Sequence, residues 1–358
     1  MLTIGFVQIL NFDKDLNTNK ILRLCSFASL NFSKKNSEPQ NLSHSEPQEK
    51  MKYLKLIRYK NLLMLAFMQV LFRYAFLNQK GVPLALADWQ YGLLVLSTVL
   101  LAAAGYVINN IFDVATDTIN KPNDVVIGKG ISETRAYNIY IGLNITGVAI
   151  GFVLSNIILR PTFASLFILI ASLLYFYATT LKQIMVVGNF VVALLLSASV
   201  LIIGIFDIFP AINADNQAQM AGLFSILIDY ALFAFMINFI REIIKDIEDV
   251  NGDYNQGMNT LPIAIGISRA SKIALAFAII PFILCLLYIN TYFFKNNLFF
   301  VTLYAFAFVL APLLYFIVKI LTAKSKKDYH HLSTVLKLIL FFGILSILII
   351  TLNINYNA

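Results

Sequence analysis

Charge is scarce in this 358-residue chain: Asp, Glu, Lys and Arg make up 13% of it, against 59% hydrophobic residues. A soluble domain carries about 25% charged residues, so a water-soluble globule is excluded and a lipid-embedded chain is implied. Cysteine is almost missing. Cys25 and Cys285 stand far apart, which removes both a disulfide framework and a thiolate zinc site. Histidine is limited to His44 in a polar leader and His330 and His331 in a basic stretch that reads as a solvated loop, which gives a nucleophilic triad or a histidine metal site little support. Nor are the bases gathered: the net charge of +8 comes from Lys and Arg scattered between apolar runs. That argues against nucleic acid as a partner and for a topological cause.

Residues 1–50 differ from the remainder. The stretch KKNSEPQNLSHSEPQEK is rich in Ser, Pro and Gln and cannot bury enough apolar area to order itself, so a disordered leader is expected. The opening MLTIGFVQIL lacks the basic flank of a secretory signal, and Met51 is a plausible second start, leaving 51–358 as one membrane domain. Runs of roughly 17 to 25 apolar residues fall near 61–78, 89–112, 135–155, 162–182, 187–207, 219–241, 270–292, 297–321 and 332–353. The fold class expected is therefore all-α, a bundle of nine transmembrane helices. Arg73 must snorkel or face the bundle interior, and Trp89 reads as an interfacial anchor. With the N-terminus inside, the lead-in and the even loops collect the Lys and Arg residues, whereas the odd loops hold only Lys80, Arg160 and Lys295. By the positive-inside rule the even loops are cytoplasmic.

Two acidic segments follow the second and sixth spans. In GYVINNIFDVATDTINKPND, Asn109, Asp113 and Asp117 are four apart and fall within about 80° on a helix of 3.6 residues per turn. In REIIKDIEDVNGDYN, Asp246, Asp249 and Asp253 fall within about 60°. A carboxylate near hydrocarbon costs roughly 2.5–3.5 kcal/mol on insertion scales, so these groups need cations. Magnesium suits them, because it is commonly held by one or two carboxylates together with substrate phosphates. Two such ridges would clamp a diphosphate between bound ions, with Lys121, Lys182, Arg241 and Lys245 nearby for the remaining phosphate oxygens. A calcium loop over DVNGDYNQGMNT fails, since Tyr254 stands at the glycine position and Thr260 at the bidentate glutamate.

These segments resemble the UbiA superfamily of intramembrane prenyltransferases, whose signatures run N-D-x-x-D-x-x-x-D and K-D-x-x-D-x-x-x-D. Here they read Asn109-Asn110-x-x-Asp113-x-x-x-Asp117 and Lys245-Asp246-x-x-Asp249-x-x-x-Asp253. Asn110 replaces the usual aspartate, removing a charge while keeping an oxygen donor. RYKN at 58–61, NKP at 120–122, LKQIMVVGN at 181–189 and TLP at 260–262 match as well. The resemblance implies a UbiA-like bundle around a central cavity. Its catalytic carboxylates would be Asp113, Asp117, Asp246 and Asp249. Magnesium would be bound by Asn109, Asp113, Asp117, Asp246, Asp249 and Asp253, and substrate by Asn61, Asn109, Lys121, Lys182, Arg241 and Lys245. It also implies a prenyl diphosphate donor, a lipid or aromatic acceptor, and an integral membrane location, the plasma membrane in a bacterium, with the Asp-rich motifs cytoplasmic. Tyr106, Phe112, Tyr175 and Tyr177 are candidates by position to shield an allylic cation.

Within the superfamily, REIIKDIEDVNGD and NKPNDVVIGKGIS look most like the branch that joins a prenyl group to a glycerol phosphate hydroxyl as an ether. An aromatic quinone precursor is the alternative acceptor. A secondary transporter with an acidic ion site is the competing class, although transporters place such groups near the midplane and these stand at span ends.

Overall fold

The computed structural model describes residues 46–357. The expected leader, its His44 and Cys25 fall almost entirely outside them. The described chain is helical, with no β-strand among the described residues. α1 (Glu46–Leu56) and α2 (Tyr59–Leu71) lead into α3 (Asp88–Phe112) and the short α4 (Val114–Asn120). α5 (Glu133–Ile157), α6 (Ala164–Thr179), α7 (Val187–Ile203) and α8 (Gln217–Asn255) follow. After α9 (Leu261–Ile265) come α10 (Ile267–Tyr288), α11 (Phe299–Ala305), α12 (Ala311–Ile320) and α13 (Lys326–Asn357).

Among the described residues, eight helical stretches are long and apolar enough to cross a membrane: Asp88–Phe112, Glu133–Ile157, Pro161–Thr179, Val187–Ala211, Gln217–Asn255, Ile267–Phe294, Phe299–Ile320 and Lys326–Tyr356. The segment expected at 61–78 is not a single α-helix. α2 gives way to a wide turn at Phe72–Phe76 and a tight one at Leu77–Lys80. Arg73 lies in the wide turn and faces the interior, 3% exposed. Its guanidinium pairs with Asp207, donates to the Leu86 carbonyl at 2.6 Å and stands 4.6 Å from the Tyr91 ring centre. Asp207 also accepts from the Leu86 amide at 3.0 Å, so one buried carboxylate ties the first segment, the loop before α3 and the end of α7. Removing one partner of such a pair strands a charge in the core. Arg73→Met should therefore destabilise the fold by about 3–5 kcal/mol, with Asp207→Asn milder, measured by unfolding of the purified protein in mixed micelles.

α8 organises the rest, packing on α7, α10 and α13. Ala270, Ala274 and Ala278 repeat every fourth residue on α10 and are fully buried in the cluster that contains Ile240, Ile244 and Ile247 of α8. Small side chains at that spacing let two helices approach closely without a strong hydrophobic drive in lipid. With 39 residues, α8 is about 58 Å long at 1.5 Å per residue, against an apolar bilayer core of about 30 Å. Its C-terminal turns, where the second acidic ridge sits, must project beyond the hydrocarbon. The sequence places that ridge beyond the end of the sixth span but with helical spacing, and His330 and His331 in a loop; both stretches are helical. DVNGDYN has a loop's composition, but contacts with α4 described below hold it in the helix.

Candidate active site

Both acidic ridges border one cavity of about 260 Å3 between α2, α3, α4, α6, α7 and α8. α3 ends at Phe112 and α4 starts at Val114, with Asp113 at the junction (φ −90°, ψ 0°). The helical phase survives the joint, because the Asp113 amide donates to the Asn109 carbonyl at 2.9 Å and the Asp117 amide to that of Asp113 at 2.8 Å. Asn109, Asp113 and Asp117 therefore still share a face, and Asn109 Nδ2 donates to Asp113 Oδ2 at 2.6 Å. The same cavity is bordered by Asp246, Asp249 and Asp253 of α8.

Each ridge is paired with a lysine. Lys121, following α4, donates to Asp249 Oδ2 at 2.6 Å, and Lys182, between α6 and α7, donates to Asp113 Oδ1. Asp246 accepts from Asn189 Nδ2 of α7 at 2.8 Å. Burial, then the neighbouring Asp113 carboxylate, pushes Asp117 above the usual carboxylate range despite Lys121 and Lys182. Burial works to lower Lys121, but the Asp249 carboxylate, with Glu248 and Asp117, outweighs it and raises that ammonium. The mouth is thus a desolvated set of oxygen donors balanced by paired ammonium groups.

The separation of the ridges is fixed by Asn120, the last residue of α4. Its Nδ2 donates to the Asp249 carbonyl at 2.7 Å and its Oδ1 accepts from the Gly252 amide at 3.1 Å. A Cβ at Gly252 would lie 2.3 Å from Asn120 Nδ2 and 2.8 Å from the Thr116 carbonyl. Only glycine permits this contact.

Beside the acidic end lies a basic one. Arg241 and Lys245 of α8 border the cavity and flank the buried Glu242, at 3.2 and 2.9 Å. The Arg241 Nε is buried without a hydrogen-bond partner. Asn61 borders the cavity and accepts from Lys337 of α13 at 2.8 Å. Arg58, left-handed at φ 51°, ψ 51° between α1 and α2, stands over the Tyr106 ring at 5.4 Å. A non-glycine residue held in that conformation stores strain, and such outliers gather at functional sites.

Every residue that sequence reasoning assigned to metal or substrate lines this space. The rings divide: Tyr106 and Tyr177 line it, whereas Phe112 and Tyr175 are 44% and 42% exposed and lie outside it. Tyr175 packs instead on Tyr140 and Phe176. Position along a helix did not reveal which way a ring turned. Glu242 and Asn189 were missed as site residues, as was Arg58. Asn189 and Arg58 fall inside motif segments, but Glu242 carries no local signal because its neutralising bases are its own neighbours. His330 is solvated as expected, its side chain 71% exposed, but it is helical and not in a loop. It sits in the first turns of α13 with Nδ1 2.9 Å from Glu248 Oε1.

The UbiA prenyltransferase family model matches residues 66–352. The chain is similar to two proteins named digeranylgeranylglyceryl phosphate synthase. One, from Thermococcus sibiricus, is 39% identical over 54% of this chain and 63% of its own length. The other, from Thermococcus kodakarensis, is 30% identical over 75% of this chain and 88% of its own. The match with the first thus spans less than two thirds of that protein. A solved structure described as digeranylgeranylglyceryl phosphate synthase in membranes superposes with a TM-score of 0.57 at 23% identity, covering 84% of this chain and 98% of its own. A UbiA homolog from Archaeoglobus fulgidus bound to GPP and Mg2+ gives 0.51 at 18% identity, covering 83% and 99%. The chain belongs to the UbiA prenyltransferase family.

Proposed function

We propose that this chain is an integral membrane enzyme that transfers a prenyl group from an isoprenoid diphosphate to the hydroxyl of a glycerol phosphate lipid. The single observation carrying this reading is one cavity bordered by both carboxylate ridges, a basic flank and apolar walls that include Leu65, Leu101, Ile170, Leu174 and Leu195. The segment from Tyr59 to Lys80 serves as a ninth span. Its addition puts both ridges on the side of the basic loops, the cytoplasmic one.

Magnesium fits the residues present. Among the described residues no three Asp, Glu, His or Cys side chains form a ready-made metal site. That suits an ion completed by substrate phosphates rather than by a full protein cage. Asn109 Oδ1 and Asp249 Oδ1 are buried without a hydrogen-bond partner, oxygens left open on opposite ridges. Asn109, Asp113 and Asp117 on one side and Asp246, Asp249 and Asp253 on the other would hold the ions, and the A. fulgidus homolog carries both Mg2+ and GPP. Bound magnesium supplies charge neutralisation for the leaving diphosphate.

The chain's own groups do the remainder. Lys121 and Lys182 exchange their carboxylate partners for phosphate oxygens, aiming positive charge where negative charge grows. The apolar walls hold the prenyl chain and keep water from the allylic carbon, with Tyr106 and Tyr177 along the same space. The carbon–oxygen bond to the diphosphate breaks with its electron pair leaving on oxygen, and the acceptor hydroxyl forms the new carbon–oxygen bond as its proton passes to an oxygen of the departing diphosphate. Arg241 and Lys245, which share Glu242, together with Arg58 on the same cavity, favour an acceptor that bears its own phosphate. That group of bases ranks this acceptor above an aromatic one.

The test is prenyl transfer by purified protein with Mg2+ and geranylgeranyl diphosphate, offered geranylgeranylglyceryl phosphate or 4-hydroxybenzoate, with products read by mass spectrometry. An ether-linked glycerol product is expected. Arg241→Ala should raise KM for the phosphorylated acceptor about tenfold or more while leaving KM for the donor near the wild-type value. Product with the aromatic acceptor alone would overturn the acceptor assignment, and no transfer to either would overturn the reading as a whole.

A further inference from the structure

A second cavity, of about 360 Å3, lies in the other half of the bundle between α8, α10, α11 and α13. Asp229 of α8 stands roughly 36 Å along the helix axis from Asp253, at 1.5 Å per residue, so this space is separate from the site above. It is also deep in the span. Asp229 is roughly 18 Å from the start of α8, within the apolar stretch where an acid is expensive and marks function by default.

That acid is exposed on α8 and borders a cavity that is apolar and partly aromatic. Tyr230, Phe233, Tyr288, Tyr292 and Phe293 line the same cavity, with Tyr288 and Tyr292 ring centres 4.6 Å apart and Tyr288 set edge-on to Phe293 at 5.5 Å. No Lys, Arg or His lines it, and Tyr288 is the one titratable neighbour acting on Asp229 among the described residues. The Tyr230 hydroxyl is already engaged with Ser346 Oγ at 2.6 Å. Two helical irregularities border the space: the wide turns Ile289–Phe294 and Phe306–Leu310 supply Tyr292, Phe293 and Val309. Wide turns of this kind recur at functional sites.

An exposed acid without a base, bordering a cavity that shares its lining with Tyr288 and Tyr292, is an arrangement that can recognise an organic cation. At this depth the ligand must also be apolar. We propose that the cavity is an intramembrane binding site for an amphiphilic ammonium compound, its charged head between Asp229 and the Tyr288 and Tyr292 rings and its chain along the lipid-facing side.

The test uses purified protein in phosphatidylglycerol nanodiscs. Two photoreactive diazirine probes of equal chain length, one with a trimethylammonium head and one with a hydroxyl head, are followed by mass spectrometry of the labelled peptides. The expected result is that the ammonium probe labels residues 284–293 at about tenfold lower concentration than the alcohol and is displaced by unlabelled dodecyltrimethylammonium. Asp229→Asn should erase the difference between the probes. Gly343→Leu should reduce labelling by both, since a Cβ at Gly343 already stands 3.6 Å from Phe233 and a longer side chain fills the space. Thermal unfolding checks that each variant is folded, and Gly343→Leu carries the test if Asp229→Asn is not. Equal labelling by the two probes overturns the proposal, as does a preference that survives Asp229→Asn. Saturable preference for the alcohol would show a site for neutral lipid and overturn the cation assignment.

Discussion

Asp113→Ala and Asp249→Ala each lower kcat/KM for prenyl transfer by at least about a hundredfold to a thousandfold, the size seen when one preorganised charge-stabilising group is removed from an active site. Each substitution has two effects. It deletes an oxygen donor from a ridge, and it frees the lysine that the carboxylate holds, Lys182 for Asp113 and Lys121 for Asp249. The loss should appear in kcat and in the Mg2+ concentration at half-maximal rate, because on the proposed reading these carboxylates would hold the ions that neutralise the leaving diphosphate. Raising Mg2+ should recover part of the rate in Asp249→Asn, which keeps an oxygen, and little in Asp249→Ala. Rates are measured with radiolabelled donor over a Mg2+ series. Wild-type turnover in either alanine variant removes the ridge from the mechanism.

Gly252→Ala is the second large effect, and it touches no ligand. The added carbon would meet Asn120 Nδ2 at 2.3 Å and the Thr116 carbonyl at 2.8 Å, so α4 must move off α8. Overpacking of this kind costs about 1–3 kcal/mol. Displacing a reacting group by about 1 Å costs on the order of a hundredfold in rate. Asn120→Ala also loosens the clamp, by deleting the bonds to the Asp249 carbonyl and the Gly252 amide. Combining the two should be little worse than Gly252→Ala alone, because both act through the same contact and coupled sites are not additive. Independent, multiplying losses in the double variant would show that the two residues do not act on one spacing.

The ridges were legible in the sequence because they depend on helical period alone: spacings of four, and of three and four, place Asn109, Asp113 and Asp117 on one face and Asp246, Asp249 and Asp253 on another. The same period could not show that α3 breaks at Asp113, since the hydrogen bonds preserve the phase across the break. Nor could it show that Lys121 belongs to Asp249, 128 residues away, because that pairing is set by packing. The expected spans agree with the eight long helices to within a few residues at most ends. The exceptions have physical causes. α8 runs on through DVNGDYN because Asn120 and Lys121 bind its last turns, and the first segment departs from a regular α-helix around Arg73, which binds Asp207 in the wide turn that follows α7. Phe112 and Tyr175 were candidates for the cavity because a helix position was known without its rotation against its neighbours.

A structure of the protein in lipid with a non-reactive prenyl thiolodiphosphate, solved with Mn2+ in place of Mg2+ so that the ions are seen by anomalous scattering, tests the central claim directly. The predicted result is Mn2+ against Asn109, Asp113 or Asp117 on one side and Asp246, Asp249 or Asp253 on the other, bridged by the diphosphate, with Lys121 and Lys182 turned from their carboxylates to phosphate oxygens. A diphosphate bound away from both ridges, with the two lysine–carboxylate pairs intact, would contradict it.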